Sequence, residues 1–368
     1  MLIPNTTLLN AKRMLYMTHL ALGDFVFQGM YLRALKKKYP SLHIDVWIDD
    51  CRDRPKAWAG GRNSALTQWL ESVPFVEEIY PIVASSEERE QLIQQAKQCD
   101  YDIVVCIATT RTNKYAEIVQ NIGQDAFTVA TRPSSWVSQL LHWHQFKKIN
   151  AILDLNDDHN KHISAIYRSR FESIFGTLML EKEDLYGLRL SVPESKKEAI
   201  ETSIANRFTH IGPERYTALK KVFINHLSTT EKRDYTWDQV VEVMKGIEAK
   251  QPNTVFVLNV PPNALDNTHS QLQRALANSS IKAIAFSAVN DFFELPAMLE
   301  ACDLVITVET AIMHIAASMD KQQVVLMRES AAAWTPLRAQ CILRAERRVD
   351  EISARDVVMA CTPLLSKL

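Results

Sequence analysis

Asp303-Leu-Val-Ile-Thr-Val-Glu-Thr-Ala-Ile-Met-His314 joins a buried-strand pattern directly to a helix start that carries an acid, a hydroxyl and a histidine. Residues 303–308 are a short apolar run rich in β-branched side chains, which predicts a strand covered on both faces in a parallel sheet. Residues 310–319 then take helical spacing, with Ile312, Ile315, Ala316 and Met319 on one apolar stripe. In open α/β sheets ligands sit outside the carboxyl ends of the strands, where free N–H groups and the positive end of a helix dipole favour a phosphate. Glu309, Thr310 and His314 are expected at such a place.

The same grammar opens the chain. Met14-Leu-Tyr-Met17 leads through residues 18–23 to Asp24 and a helix expected over about 25–39. Asp24 suits the cap of its first turn, Lys36, Lys37 and Lys38 complement the dipole at its end, and Pro40 follows the stop. Strands are expected at 42–48, 76–80 and 102–107, with helices near 64–71, 86–98 and 161–175. No strong strand pattern occurs over 181–220, where Pro193, Gly212 and Pro213 interrupt charged helical patches. The pattern restarts with strands at 221–225, 254–260, 281–286, 303–308 and a last one at 324–327, alternating with helices near 237–249, 270–277 and 292–301. Two parallel, doubly wound α/β domains follow, over 1–185 and 221–368, with 186–220 as the connection.

At 368 residues the chain has room for two such domains, and 47% hydrophobic with 23% charged residues describes a globular protein. A net charge of −1 gives no global attraction to nucleic acid. No apolar run reaches the ~20 residues of a membrane span, and the N-terminus lacks the basic-then-apolar order of a secretory signal, so a cytoplasmic location is expected. The six cysteines form no C-x-x-C pair, so neither a disulfide framework nor a zinc site is indicated. Asp49-Asp50 and Asp157-Asp158-His159 have metal-ligand chemistry, but acidic pairs in loops are more often solvated turns.

Several pieces in order carry a resemblance. These are Ala21-Leu-Gly-Asp24 before a helix ending Leu32-Arg-Ala-Leu-Lys-Lys-Lys-Tyr-Pro40, then Val222-Phe-Ile-Asn225 followed by Lys232-Arg233 and Trp237, then Leu299-Glu-Ala-Cys-Asp-Leu-Val-Ile-Thr307 and residues 310–314. Together they resemble the heptosyltransferases, which attach heptose from ADP-heptose to the inner core of bacterial lipopolysaccharide. The resemblance spans most of the chain. It implies the GT-B fold, two Rossmann-like domains whose parallel sheets face a central cleft. It also implies an inverting glycosyltransferase acting on a lipopolysaccharide or lipooligosaccharide core acceptor at the cytoplasmic face of the inner membrane. Asp24 would be the general base, the Lys232-Arg233 segment would meet the donor diphosphate, and Thr310, Ala311 and His314 would form the donor loop and helix start. No metal or other cofactor is implied, because fixed positive groups would take the place of a divalent ion. The chain departs from the family pattern where Glu309 replaces the usual aspartate and Ala311 the usual glycine. It also departs at Asn259-Val-Pro-Pro-Asn263, which lacks the acid that often meets the nucleotide ribose.

The residues themselves add to this. A carboxylate such as Glu309 at the end of a buried strand is costly unless paired or reached by ligand or solvent, and it is read here as a donor-hydroxyl contact. His314 is read either as a donor-site residue or as a satisfied core histidine. Arg52, Arg54, Lys56 and Arg62, with Arg111 and Arg132 after later strands, would ring the carboxyl edge of the first sheet, and guanidinium groups suit an acceptor bearing carboxylates and phosphates. Arg62, Arg111 and Arg132 are the acceptor-binding candidates. Trp136, Trp143, Lys147 and Lys148 have the chemistry of a membrane-surface contact, while the seven-residue spacing of the tryptophans favours a helix packed on the domain. Two rivals stand beside the heptosyltransferase: a relative using a UDP-sugar, and a non-catalytic sugar-nucleotide-binding protein that would tolerate loss of Asp24.

Overall fold

The computed structural model describes residues 1–52, 59–133, 135–155, 161–208 and 218–367, with the backbone alone at 59–62 and 138. Arg54, Lys56, the Asp157-Asp158-His159 run, Gly212, Pro213 and the side chain of Arg62 lie outside the described residues. The chain divides into two units, Met1–Lys182 and Glu183–Leu368.

In the first unit, β1 (Arg13–Thr18), β2 (His43–Trp47), β3 (Ile79–Tyr80), β4 (Ile103–Ile107), β5 (Phe127–Thr131) and β6 (Ala151–Leu153) form a six-stranded sheet in the order β3-β2-β1-β4-β5-β6. Every pairing is parallel. The second unit repeats this with β7 (Lys220–Asn225), β8 (Thr254–Asn259), β9 (Lys282–Phe286), β10 (Leu304–Val308), β11 (Gln323–Arg328) and β12 (Cys341–Ala345), in the order β12-β11-β10-β7-β8-β9. Counted from its own first strand, each sheet has the doubly wound order 3-2-1-4-5-6. The order therefore reverses beside β1 in one unit and beside β7 in the other, between β1 and β4 and between β7 and β10. Crevices for ligands form outside the carboxyl ends of the strands at such points.

β4 and β10 read as continuous apolar runs because both of their faces are covered; every residue of each is buried. The acid that precedes each run lies just outside the strand. Asp102 accepts the N–H groups of Lys12 (2.7 Å) and Arg13 (2.9 Å), and Asp303 accepts that of Lys221 (2.7 Å). Each acid thus satisfies donors at the amino edge of its sheet and pins the register of the central pair.

Three strands escape the sequence reading. β5 and β6 lie beyond the last strand expected in the first half, and β12, not the 324–327 run, closes the second sheet. β6 is three residues long, and β12 is an edge strand that is mostly half-exposed and carries Arg344, so neither shows a buried-strand pattern. Within 186–220, expected as a connection, a helix runs over Glu194–Arg207 and packs on the helix Glu294–Ala301. It buries Ile200 and Ile204, and Lys196 pairs with Asp291 and Lys197 with Glu300. These contacts make it part of the second unit. At Gly246, on the helix Trp237–Lys250, an added Cβ would stand 2.6 Å from Val358 Cγ2 of the helix Ala354–Leu365. The bare backbone there allows the two helices to lie close. Among the described residues no helix is long and apolar enough to cross a membrane.

Candidate active site

In the first unit the helix after β1 spans Leu22–Lys38, so it starts three residues before the expected 25. The carboxylate of Asp24 is the cause. It sits third in the helix and reaches back to accept the Ala21 N–H at Oδ2 (3.1 Å), closing the first turn. Its Oδ1 accepts the Tyr167 hydroxyl at 2.7 Å, from the helix Ile163–Phe175. Burial, with the Asp24 charge beside it, pushes the Tyr167 phenol well above its ordinary pKa, so the hydroxyl keeps its proton and donates. Arg170 stands 5.5 Å from the Tyr167 ring. A half-buried carboxylate at the carboxyl end of β1, oriented by two fixed donors, is the arrangement a general base requires.

The expected basic ring is only partly assembled. Asp49 and Asp50, expected in a solvated turn, are buried. Asp49 accepts the N–H groups of Cys51 and Val83, both at 3.2 Å, and pairs with Arg89. Asp50 faces Arg52 Nε at 2.8 Å, His19 Nε2 at 3.8 Å and Arg111 at 4.0 Å, and its carbonyl accepts Arg111 Nε at 2.5 Å. The arginines make burial of the acids tolerable, and in turn the acids offset much of the positive charge expected for an anionic acceptor. Cys51 and Arg111 both take left-handed backbone, φ 56° and 52°, a conformation that costs a non-glycine residue about 1 kcal/mol or more and persists only where its surroundings enforce it. Arg132 is separate from this cluster and pairs with Asp154.

In the second unit the switch point is tied by side chains. Asn225, at the end of β7, donates from Nδ2 to Thr307 Oγ1 (3.2 Å) and Thr310 Oγ1 (3.1 Å), and accepts Asn259 Nδ2 at Oδ1 (3.0 Å). The carboxyl ends of β7, β8 and β10 are thereby locked together. Thr310 caps the helix Ala311–Ser318, its Oγ1 accepting the Ile312 N–H at 3.3 Å. None of Glu309, Thr310 and Ala311 has positive φ, so the alanine in place of the family's usual glycine meets no backbone penalty.

Glu309 is 4% exposed. It accepts the Arg328 backbone N–H (3.1 Å), Nε (2.8 Å) and terminal guanidinium nitrogen (2.5 Å), and Arg233 Nε lies 3.8 Å from Oε1. Of the two ways to make a buried acid tolerable, the fold uses pairing. Glu309 thus orders two arginines beside the helix start and leaves one net positive charge there. Arg233 also donates to Thr230 Oγ1 (2.9 Å) and Thr229 Oγ1 (2.5 Å), whereas Lys232 is exposed. His314 is buried, its ring 6.0 Å from that of Trp334. Tyr167 and Arg328 were missed in the sequence. Nothing marks the tyrosine inside its helix, but Arg328 directly follows the apolar run of β11 as Glu309 follows β10, and that parallel is visible in the chain.

Two doubly wound units with a fixed carboxylate at one switch point and a helix start with paired arginines at the other are the components of a GT-B glycosyltransferase. The model of glycosyltransferase family 9 (heptosyltransferase) matches residues 116–344, and the chain belongs to that family. It is an enzyme, a glycosyltransferase. A glycosyl transferase family 9 structure from Veillonella parvula superposes with a TM-score of 0.71 over 97% of this chain and 98% of its own, at 18% identity. The E. coli ADP-heptose LPS heptosyltransferase II gives 0.69 over 96% and 99%, at 16% identity. The E. coli heptosyltransferase WaaC with ADP gives 0.63 over the same shares, at 13% identity. No curated protein matches in sequence.

Replacing Lys232 and Arg233 together by Ala is expected to weaken nucleoside diphosphate binding roughly tenfold or more and nucleoside binding much less, since charge-assisted bonds to phosphate contribute about 1.5–3 kcal/mol. Calorimetry with both ligands separates the two. Unchanged affinity for every nucleoside diphosphate would remove the segment from the site. A second expectation concerns His226, buried after β7, whose pKa burial lowers from 6.5 to about 4. Below pH 6.5 the unfolded ring takes a proton that the folded ring refuses until about pH 4. Folding stability therefore falls across that window as pH drops, by at most about 1.4 kcal/mol per pH unit from this group. Urea unfolding at a series of pH values should show a shallower slope for His226→Gln; an identical slope would mean that the ring titrates normally.

Proposed function

We propose that the protein is an inverting, metal-independent transferase that moves heptose from ADP-heptose to an inner-core lipopolysaccharide or lipooligosaccharide acceptor. The observation that carries this reading is Asp24, a carboxylate held by Ala21 and Tyr167 at the carboxyl end of β1. The family membership and the arginine pair on Glu309 support it.

In this reading an acceptor hydroxyl oxygen attacks the anomeric carbon from the face opposite the diphosphate. The new C–O bond forms as the bond to the diphosphate breaks, the leaving group keeps the electron pair, and Asp24 takes the hydroxyl proton. Arg233, Arg328, Lys232 and the N–H groups at Thr310 and Ala311 offset the charge that grows on the leaving oxygen. These fixed positive groups do the work that a divalent ion does in other transferases. Arg111 and Arg132, with Arg62, are the residues proposed to meet the charged acceptor.

A UDP-sugar donor is favoured by one feature: the end of β8 presents Asn259, bonded to Asn225, and no acid for a ribose. Calorimetric comparison of ADP, UDP, GDP and CMP decides between donors. Transfer from ADP-heptose to heptose-less core, with inverted anomeric configuration in the product, is the expected result. Tighter binding of UDP, with transfer from a UDP-hexose alone, would overturn the heptose reading and leave the glycosyltransferase intact.

A further inference from the structure

The segment after β5 is exposed where a packed helix was expected. On the short helix Trp136–Leu141 and the turn Trp143–Gln145, Trp136 is 72%, Leu140 63%, Leu141 66% and Trp143 60% exposed. The seven-residue spacing of the tryptophans does place them alike, but on the solvent side. A cluster of large exposed apolar side chains marks a contact surface. Lys147 Nζ lies 5.6 Å from the Trp143 ring, and Lys148 beside it is exposed. From Ala126 to Leu153 there is no Asp or Glu, in a chain whose net charge is −1. A shallow groove lined by Arg132, Trp136, Leu140, Trp143 and Phe146 joins the cluster to the edge of the sheet at the end of β5.

We propose that this face docks the protein on an anionic lipid bilayer. Tryptophans favour the headgroup level, and leucines on a short amphipathic helix reach the acyl boundary. Lysines beside them are drawn to anionic headgroups, whereas lysine is depleted from protein interfaces. Arg132 of the groove is offset by Asp154, and Lys147 and Lys148 leave the local charge net positive, which complements such a surface. The inference extends the proposed lipid-borne acceptor, but its test needs no sugar.

Vesicles of phosphatidylcholine with phosphatidylglycerol, and of phosphatidylcholine alone, are sedimented with the purified full-length protein. The wild type is expected to partition onto the anionic vesicles and to release at high salt. Lys147→Gln with Lys148→Gln should lower partitioning about fivefold for each lysine, and Trp136→Ser with Trp143→Ser should lower it at least tenfold. All four side chains are exposed, so thermal unfolding in the absence of lipid should match the wild type. Partitioning of both variants equal to the wild type, or no partitioning of the wild type, overturns the proposal. So does a wild-type dimer without lipid that the Trp136→Ser, Trp143→Ser variant makes monomeric while vesicles bind neither, since the face would then belong to a second copy. Vesicle docking without heptosyl transfer would overturn the proposed donor and acceptor but not the surface.

Discussion

Asp24→Asn is expected to lower turnover by ~10²–10⁴-fold, the range for removal of a general base, and to leave nucleotide affinity nearly unchanged. The amide oxygen can still accept a bond from the Ala21 N–H or the Tyr167 hydroxyl. The helix start therefore loses only about 1 kcal/mol or less of capping, and the fold should survive. What is lost is the capacity to take the acceptor's proton. Tyr167→Phe tests the positioning half of the argument: it leaves the base in place but removes the hydroxyl that Oδ1 accepts, and a roughly tenfold fall in kcat with little change in KM for the donor is expected. Steady-state rates with donor and acceptor check both variants. A wild-type rate for the Asn variant would make Asp24 a helix cap and nothing more.

Arg328→Met is expected to be among the most destabilising single changes in the second unit. It removes the principal partner of a carboxylate that is 4% exposed, and an uncompensated buried charge typically costs 3–5 kcal/mol. Arg233, 3.8 Å from Oε1, retains part of the compensation, so the lower end, about 3 kcal/mol, is expected. For a unit of this size that lowers Tm by roughly 6–12 °C. Pairing the change with Glu309→Gln removes the stranded charge and should recover most of the loss, which a double-mutant cycle measures directly. The double variant keeps the one net positive charge beside the helix start, now on Arg233 alone, so a loss of nucleoside diphosphate affinity in it would measure the direct contact of the Arg328 guanidinium. Additive losses in the cycle would mean that Glu309 and Arg328 do not depend on one another.

Much of the fold is legible because burial on two faces leaves a mark in the chain. β4 and β10 read as continuous apolar runs with an acid before each, and the turn after β1 reads as a helix start from Asp24 and the apolar run ahead of it. The strands at the sheet margins carry no such mark. β12 is half-exposed and β6 is three residues long, so neither composition nor periodicity separates them from loops.

For the candidate site the division is sharper. Sequence alone determined that an acid stands after the first strand, that an acid, a hydroxyl and a histidine stand after the tenth, and that these belong at the carboxyl ends of parallel strands. Those are local properties, set by strand pattern and helix caps. Only the tertiary structure decided which groups those residues hold: Tyr167 reaches Asp24 across 143 positions, Arg328 reaches Glu309 across 19, and Arg111 reaches the Asp50 carbonyl across 61. It also turned Asp49 and Asp50 inward and Trp136 and Trp143 outward, against their local appearance. An acid or a tryptophan has no fixed place by itself, because its burial depends on whether the folded chain brings a donor or an apolar surface to meet it, and that pairing is written in no single stretch of residues.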